Sequence, residues 1–316
     1  MATESTSEHE LYYVPEKSSL AIWATIGLVL SILGAARLLN EKTFGDGMTS
    51  FSTYLLLGGL IVFIATLYRW FSTAIKENRA GMNSAQLKHS YALGMQWFIF
   101  SEVMFFFAFF GALFYVRMLA GPWLAGGGEG GAMNTILWDG FEFSWPMVTT
   151  PQEAVGGAAA QLIANNGSFV SPHEFVDPWH LPLYNTLLLL SSSVTVHFAH
   201  VALKANERKK FNWFLGVSLL LGMAFVALQI EEYREAYMEL GLTLNSGIYG
   251  STFFMLTGFH GFHVCMGAFM LGIQWLRSVR GGHFTADDHF GFEASSWYWH
   301  FVDVVWVGLF LFVYIL

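Results

Sequence analysis

Seven side chains that could do chemistry stand inside long apolar runs of this sequence. They are Glu102, His197, His200, His260, His263, His300 and Asp303. Glu102 sits in Phe98-Ile99-Phe100-Ser101-Glu102-Val103-Met104-Phe105-Phe106, where a bare carboxylate costs several kcal/mol unless it is paired or hydrated. Two readings of it stand side by side: a carboxyl in proton or lipid traffic, and a neutral acid hydrogen-bonded to a neighbouring helix. His197 with His200, and His260 with His263, are three residues apart, so each pair shares one helix face. That spacing invites a haem or copper reading. Two-histidine haem sites take single ligands from facing helices, and Ser192, Ser193, Thr195 and Thr257 are ordinary hydrogen-bond partners nearby, so structural histidines are expected and no metal. His300 and Asp303 repeat the same spacing, and a hydrogen bond between them would bind helix to helix. Glu232 lies in the cluster Glu231-Glu232-Tyr233-Arg234-Glu235, expected to be an interfacial salt-bridge network in which Arg234 offsets part of the acidic charge.

The elements that position these residues follow from composition. Of 316 residues 54% are hydrophobic, 17% aromatic and only 12% charged, against about 25% charged in an ordinary soluble domain. A net charge of -8 argues against nucleic acid as a partner. Apolar runs over 20–39, 51–71, 91–118, 181–203, 211–230, 248–276 and 297–316 are each about long enough to span a bilayer as a helix. They lack period-2 alternation, so the expected fold is an all-α membrane protein with seven transmembrane helices.

Basic residues set the orientation. Lys17, the group Arg69, Lys76, Arg79 and Lys88, the group Lys204, Arg208, Lys209 and Lys210, and Arg277 with Arg280 all fall on one side. The other side holds only Arg37, Lys42, Arg117 and Arg234. The N-terminus is therefore expected in the cytoplasm and the C-terminus outside. The first residues carry Glu4, Glu8, Glu10 and Glu16, the opposite of a basic targeting start, which points to a bacterial inner membrane. Cys265 is the single cysteine, so neither a disulfide framework nor a cysteine-ligated cluster can be built.

The connection 121–180 is long, acidic and free of Lys and Arg, and is expected on the outer face. Its acids are Glu129, Asp139, Glu142, Glu153, Glu174 and Asp177, and Trp123, Trp138, Phe141, Phe143, Trp145 and Pro146 suggest that part of it packs. The glycines of Gly126 to Gly131 lack the strand and helix of a dinucleotide fingerprint and read as a flexible loop. His173, Asp177 and His180 are set aside as a metal site, and Asn166-Gly167-Ser168 is a glycosylation sequon by letters only. The organisation expected is 1–90, with the first two helices, and 91–316, with the other five.

Several stretches together resemble cytochrome c oxidase subunit III. They are GIYGSTFF from Gly247 to Phe254, TGFHGFHV from Thr257 to Val264, HFGFEA from His289 to Ala294, and WYWHFVDVVW from Trp297 to Trp306. FSEVMFF from Phe100 to Phe106, LPLYNT from Leu181 to Thr186, and Leu228-Gln229 with Glu232-Tyr233 and Glu235-Ala236 also match, while Tyr68, Trp70, Lys76 and Glu77 match more loosely. The resemblance implies an accessory subunit without catalytic residues, packed against subunits I and II, which hold the haem A and copper. It implies helices 1 and 2 splayed from helices 3 to 7 around a V-shaped cleft filled by phospholipids. It also implies that Glu102 lies near that cleft and supports proton uptake, with Tyr68, Trp70, Lys76 and Glu77 holding lipid. Lys76 stands where many members carry Arg, which loses a bidentate grip on phosphate. Val201 replaces the second of two adjacent histidines, further against a metal there. The long outer loop departs most from the family and is a candidate docking surface for cytochrome c or another respiratory complex. A quinol oxidase subunit III is the alternative, disfavoured because such subunits often lack the first two helices.

Overall fold

The computed structural model describes residues 17–45, 49–164, 171–281 and 283–316. Its order is α1 (Leu20–Phe44), α2 (Thr49–Arg79), α3 (Ala85–Tyr115), a π turn (Val116–Ala120), α4 (Gly121–Leu124), a 3-10 turn (Gly131–Met133) and α5 (Asn134–Leu137). There follow α6 (Pro151–Ala164), α7 (Leu181–Lys204), α8 (Arg208–Met238), α9 (Ile248–Gly281), α10 (Phe290–Leu309) and a closing π turn (Phe310–Ile315). Among the described residues there is no strand, and seven helical segments are long and apolar enough to cross a membrane. Prolines mark where helices begin. Pro122, Pro151 and Pro182 stand in the first turns of α4, α6 and α7, where a missing N–H costs nothing. Pro122 has no N–H to close the preceding turn, and the chain answers by bonding Gly121 N–H to the Val116 carbonyl across the π turn.

The described chain divides into two compact units, one ending at Leu93 and the other running from Gly94 to Leu316. In the first, α1 and α2 form an antiparallel hairpin. Small residues let the backbones meet: a Cβ on Gly27 would lie 2.6 Å from the Phe63 nitrogen. The hairpin's far end is tied by Ser52 Oγ, which donates to buried Glu41 Oε1 at 2.5 Å. α2 is closed off by Gly81, two residues past its end, whose φ of 72° lets Met82 N–H reach back to the Glu77 carbonyl. Ser84 then caps α3 by accepting from Leu87 N–H at 3.2 Å.

The second unit is a bundle of α7, α8, α9 and α10 with α3 beside it. With no water to drive apolar faces together in lipid, tight packing and buried polar bonds carry the assembly. Trp299 Nε1 donates to Ser192 Oγ and Trp306 Nε1 to Thr186 Oγ1, both at 2.9 Å, fixing α10 on α7. Thr195 and Ser218 hydroxyls meet at 2.7 Å between α7 and α8. Trp275 Nε1 and Ser278 Oγ donate to the Asn212 carbonyl and side-chain oxygen, at 2.9 and 2.6 Å, and join α9 to α8. Around these bonds Phe211, Phe225, Phe253, Phe292, Trp299 and Trp306 are fully buried.

The outer connection is folded where it is described. Trp145 packs edge-on against Tyr249, with ring centroids 5.7 Å apart, and Arg117 stacks over Trp145 at 5.4 Å. The same guanidinium donates to the Phe312 carbonyl at 3.3 Å and to that of Leu316, holding the last turn of the chain. The expectation of slack at Gly126 to Gly131 is corrected. Gly126 has φ +87°, the backbone of Gly131 packs on the Gly126 carbonyl, and Gly130 lies against the Trp123 ring. Asn134 Nδ2 closes the turn by donating to the carbonyls of Leu124 at 2.7 Å and Trp138 at 2.9 Å. Residues 165–170, with the sequon letters, and the N-terminal acids lie outside the described residues.

Candidate functional site

Glu102 lies on α3, and its side chain is half-buried. Its Oε2 stands 3.0 Å from His263 Nε2. The other ring nitrogen, His263 Nδ1, is 2.6 Å from the Phe259 carbonyl, which can only accept, so Nδ1 carries a hydrogen. Two neutral arrangements then satisfy the contact: a protonated Glu102 donating to a bare Nε2, or an imidazolium donating to a carboxylate. Each places one proton between the two residues and leaves the pair without net charge. Ser101 Oγ lies 3.2 Å from Glu102 Oε1. Phe105, Phe106, Tyr298 and Phe301 surround the imidazole, with Phe106 at 4.9 Å between centroids, so the contact lies in an aromatic pocket. Helical spacing placed His263 with His260. The structure instead gives it a partner on another helix.

His260 turns to a different neighbour. It is fully buried, its Nε2 lies 3.2 Å from the Val302 carbonyl, and its ring stacks at a tilt on Trp306 with centroids 5.1 Å apart. It binds α9 to α10. His197 and His200 have different surroundings. His197 is exposed beside Phe198, whereas His200 Nε2 meets His289 Nε2 at 3.3 Å across to the start of α10. His300 keeps Asp303 within ion-pair distance and gains a hydrogen bond between helices. His300 Nδ1 bonds Ser193 Oγ at 2.7 Å and stays 3.6 Å from Asp303 Oδ2, beyond hydrogen-bond range.

The acidic cluster near the end of α8 splits in two. Glu231 and Arg234 form an exposed ion pair, with Arg234 Nε 3.0 Å from Glu231 Oε2. Glu232 points the opposite way into the bundle, where Tyr314 OH donates to its Oε1 at 2.6 Å and Gln229 Nε2 at 3.2 Å. The expected single network is therefore one surface pair and one buried acid, because adjacent helix positions face about 100° apart.

The four residues matched loosely at the sequence level all lie on α2 in the first unit. Tyr68 is 75% exposed and Trp70 44%, Lys76 is exposed and Glu77 half-buried. Tyr68 and Trp70 stand about two helical turns before Lys76. Among the described residues no three His, Cys, Asp or Glu side chains converge as a metal site would require. Each imidazole named above except His197 has a hydrogen-bond partner within the chain.

Comparison with known proteins converges on one family. The model of the family described as cytochrome c oxidase subunit III matches residues 9–127 and 164–316. The stretch between them lies in the outer connection. Cytochrome c oxidase subunit 3 of Cyprinus carpio is 38% identical over 264 residues, covering 83% of this chain and 84% of that protein. The subunit 3 of Tetraodon nigroviridis is 37% identical over 293 residues, covering 92% and 93%. That of Dugong dugon is 37% identical over 264 residues, covering 83% and 84%.

Proposed function

The chain belongs to the cytochrome c oxidase subunit III family and so forms part of an oxidoreductase complex of the membrane, and from that premise we propose that it is the accessory subunit that keeps proton supply to the catalytic subunit intact. The relatives named above carry the cytochrome c oxidase name, which supports that reading over a quinol oxidase. In this reading the chain contributes no catalytic residue to the reduction of oxygen to water. Haem A and copper reside in subunits I and II, against which the bundle packs.

The observation that carries the proposal is the Glu102–His263 contact. A carboxyl and an imidazole 3.0 Å apart in an aromatic pocket hold one proton without holding net charge. Such a pair can pass its proton between carboxyl and imidazole without acquiring net charge within the membrane. Tyr68, Trp70, Lys76 and Glu77 of α2 serve as interfacial contacts for bound phospholipid. The structural polar residues His200, His260 and His300, with Asp303 and Glu232, keep the bundle rigid behind the pair.

Orientation follows the basic residues: N-terminus in the cytoplasm of a bacterial inner membrane, C-terminus outside. The acidic outer connection is then available to a basic donor such as cytochrome c, since an ordered patch of one sign steers the opposite one.

The test is Glu102→Gln in the assembled oxidase. Haem content and spectrum should be unchanged, while activity should fall faster during continuous turnover and bound phospholipid should decrease. Altered haem content in a normally assembled complex would contradict the proposal.

A further inference from the structure

Glu232 is 2% exposed and lies near the end of α8, opposite the turn that joins α7 to α8. Both donors that reach it, Tyr314 OH and Gln229 Nε2, converge on the single oxygen Oε1. Two buried acceptors are left over, Glu232 Oε2 and Gln229 Oε1, and neither has a hydrogen-bond partner among the described residues. They belong to side chains three residues apart that already touch through the Gln229 amide. The ionisable groups acting on Glu232 from the packed elements are Tyr314 of the closing π turn, Tyr233 and Glu235 of α8 and Tyr249 of α9. Every one is an acid or a phenol. No Lys, Arg or His pairs with Glu232 among the described residues.

An ionised carboxylate here would be buried without a cation, bonded to a glutamine whose amide oxygen also lacks a donor. One addition repairs both defects. We propose that Glu232 is a proton-binding site: its Oε2 carries a hydrogen donated to Gln229 Oε1, closing an acid–amide ring whose other bond is Gln229 Nε2–H to Glu232 Oε1. The carboxyl is then neutral and all four polar atoms of the ring are satisfied. Tyr314 donates to the same acid, so the proton also completes the site on which the chain's last turn docks. This site is separate from the Glu102–His263 pair, and it stands whether or not that pair serves proton uptake.

Infrared absorption of the purified oxidase decides the matter, recorded at neutral pH in H2O and D2O for the native chain, Glu232→Gln and Gln229→Leu. The native complex should show a protonated-carboxyl C=O band that moves in D2O and disappears in Glu232→Gln. In Gln229→Leu that band should persist but shift to higher frequency, because the acid has lost its acceptor. Loss of carboxylate bands alone in Glu232→Gln would overturn the proposal. If that variant does not assemble, an unmoved set of protonated-carboxyl bands in Gln229→Leu would overturn it equally.

Discussion

Glu102 and His263 are 161 residues apart in the chain and meet on different helices at 3.0 Å, with the second nitrogen of His263 committed to the Phe259 carbonyl. One residue alone would leave a polar group stranded in an apolar pocket. Together they tie α3 to α9.

Removing either partner should therefore cost more than removing both. His263→Leu leaves Glu102 half-buried without its imidazole, and thermal stability of the subunit in the complex should fall by about 1–3 kcal/mol. The double variant Glu102→Leu with His263→Leu should recover part of that loss. A thermal denaturation series on the four combinations checks this, and additive losses would rule out a coupled pair.

The tryptophans of α10 should separate packing from hydrogen bonding. Trp306→Phe keeps most of the ring and loses the bond to Thr186, so about 1 kcal/mol is expected. Trp299→Ala empties a fully buried site and should cost about 3–5 kcal/mol or prevent assembly. Detergent resistance of the assembled complex reports the order of the two effects.

The glycines of the outer connection are required by close contacts. Gly131→Val collides with the Gly126 carbonyl and should open the turn around Trp123 without disturbing the spans. Limited proteolysis should then cut between residues 121 and 150 while helix content by circular dichroism stays constant. Protection equal to the native chain would show that the turn tolerates the bulk.

Labelling should report orientation. With Cys265 replaced by Ser, a cysteine at Asn206, in the turn between α7 and α8, should react with a membrane-impermeant reagent only in inverted vesicles. A cysteine at Glu129 should react only in right-side-out ones. The reverse pattern would overturn the assignment made from the basic residues.

The spans were legible because runs of about 20 apolar residues have one stable backbone solution in lipid. Their ends were less so: the third segment begins at Ala85, since Lys88, His89 and Ser90 continue a helix past the apolar window, and the last begins at Phe290. The motifs Thr257 to Val264 and Trp297 to Trp306 carried the family, which the matched residues now establish. Side-chain partners were not legible. Spacing of three put His260 with His263 and His300 with Asp303 on shared faces, and packing supplied the further partners Val302, Glu102 and Ser193 from neighbouring helices. Period along a helix reports which residues share a face and says nothing of what that face meets. Slack at Gly126 to Gly131 was misread for a related reason: positive φ and close approach both call for glycine, as flexibility does.

The most direct test of the central claim is to purify the complex through a tag on this chain, record its optical spectrum, and then strip the chain away. The account predicts haem A bands and two larger redox subunits in the purified complex. After stripping, the colour should stay with those subunits, the chain should be colourless, and the stripped enzyme should lose activity faster during turnover. A haem spectrum carried by the isolated chain, or a chain that purifies colourless and alone from its native membrane, would contradict it.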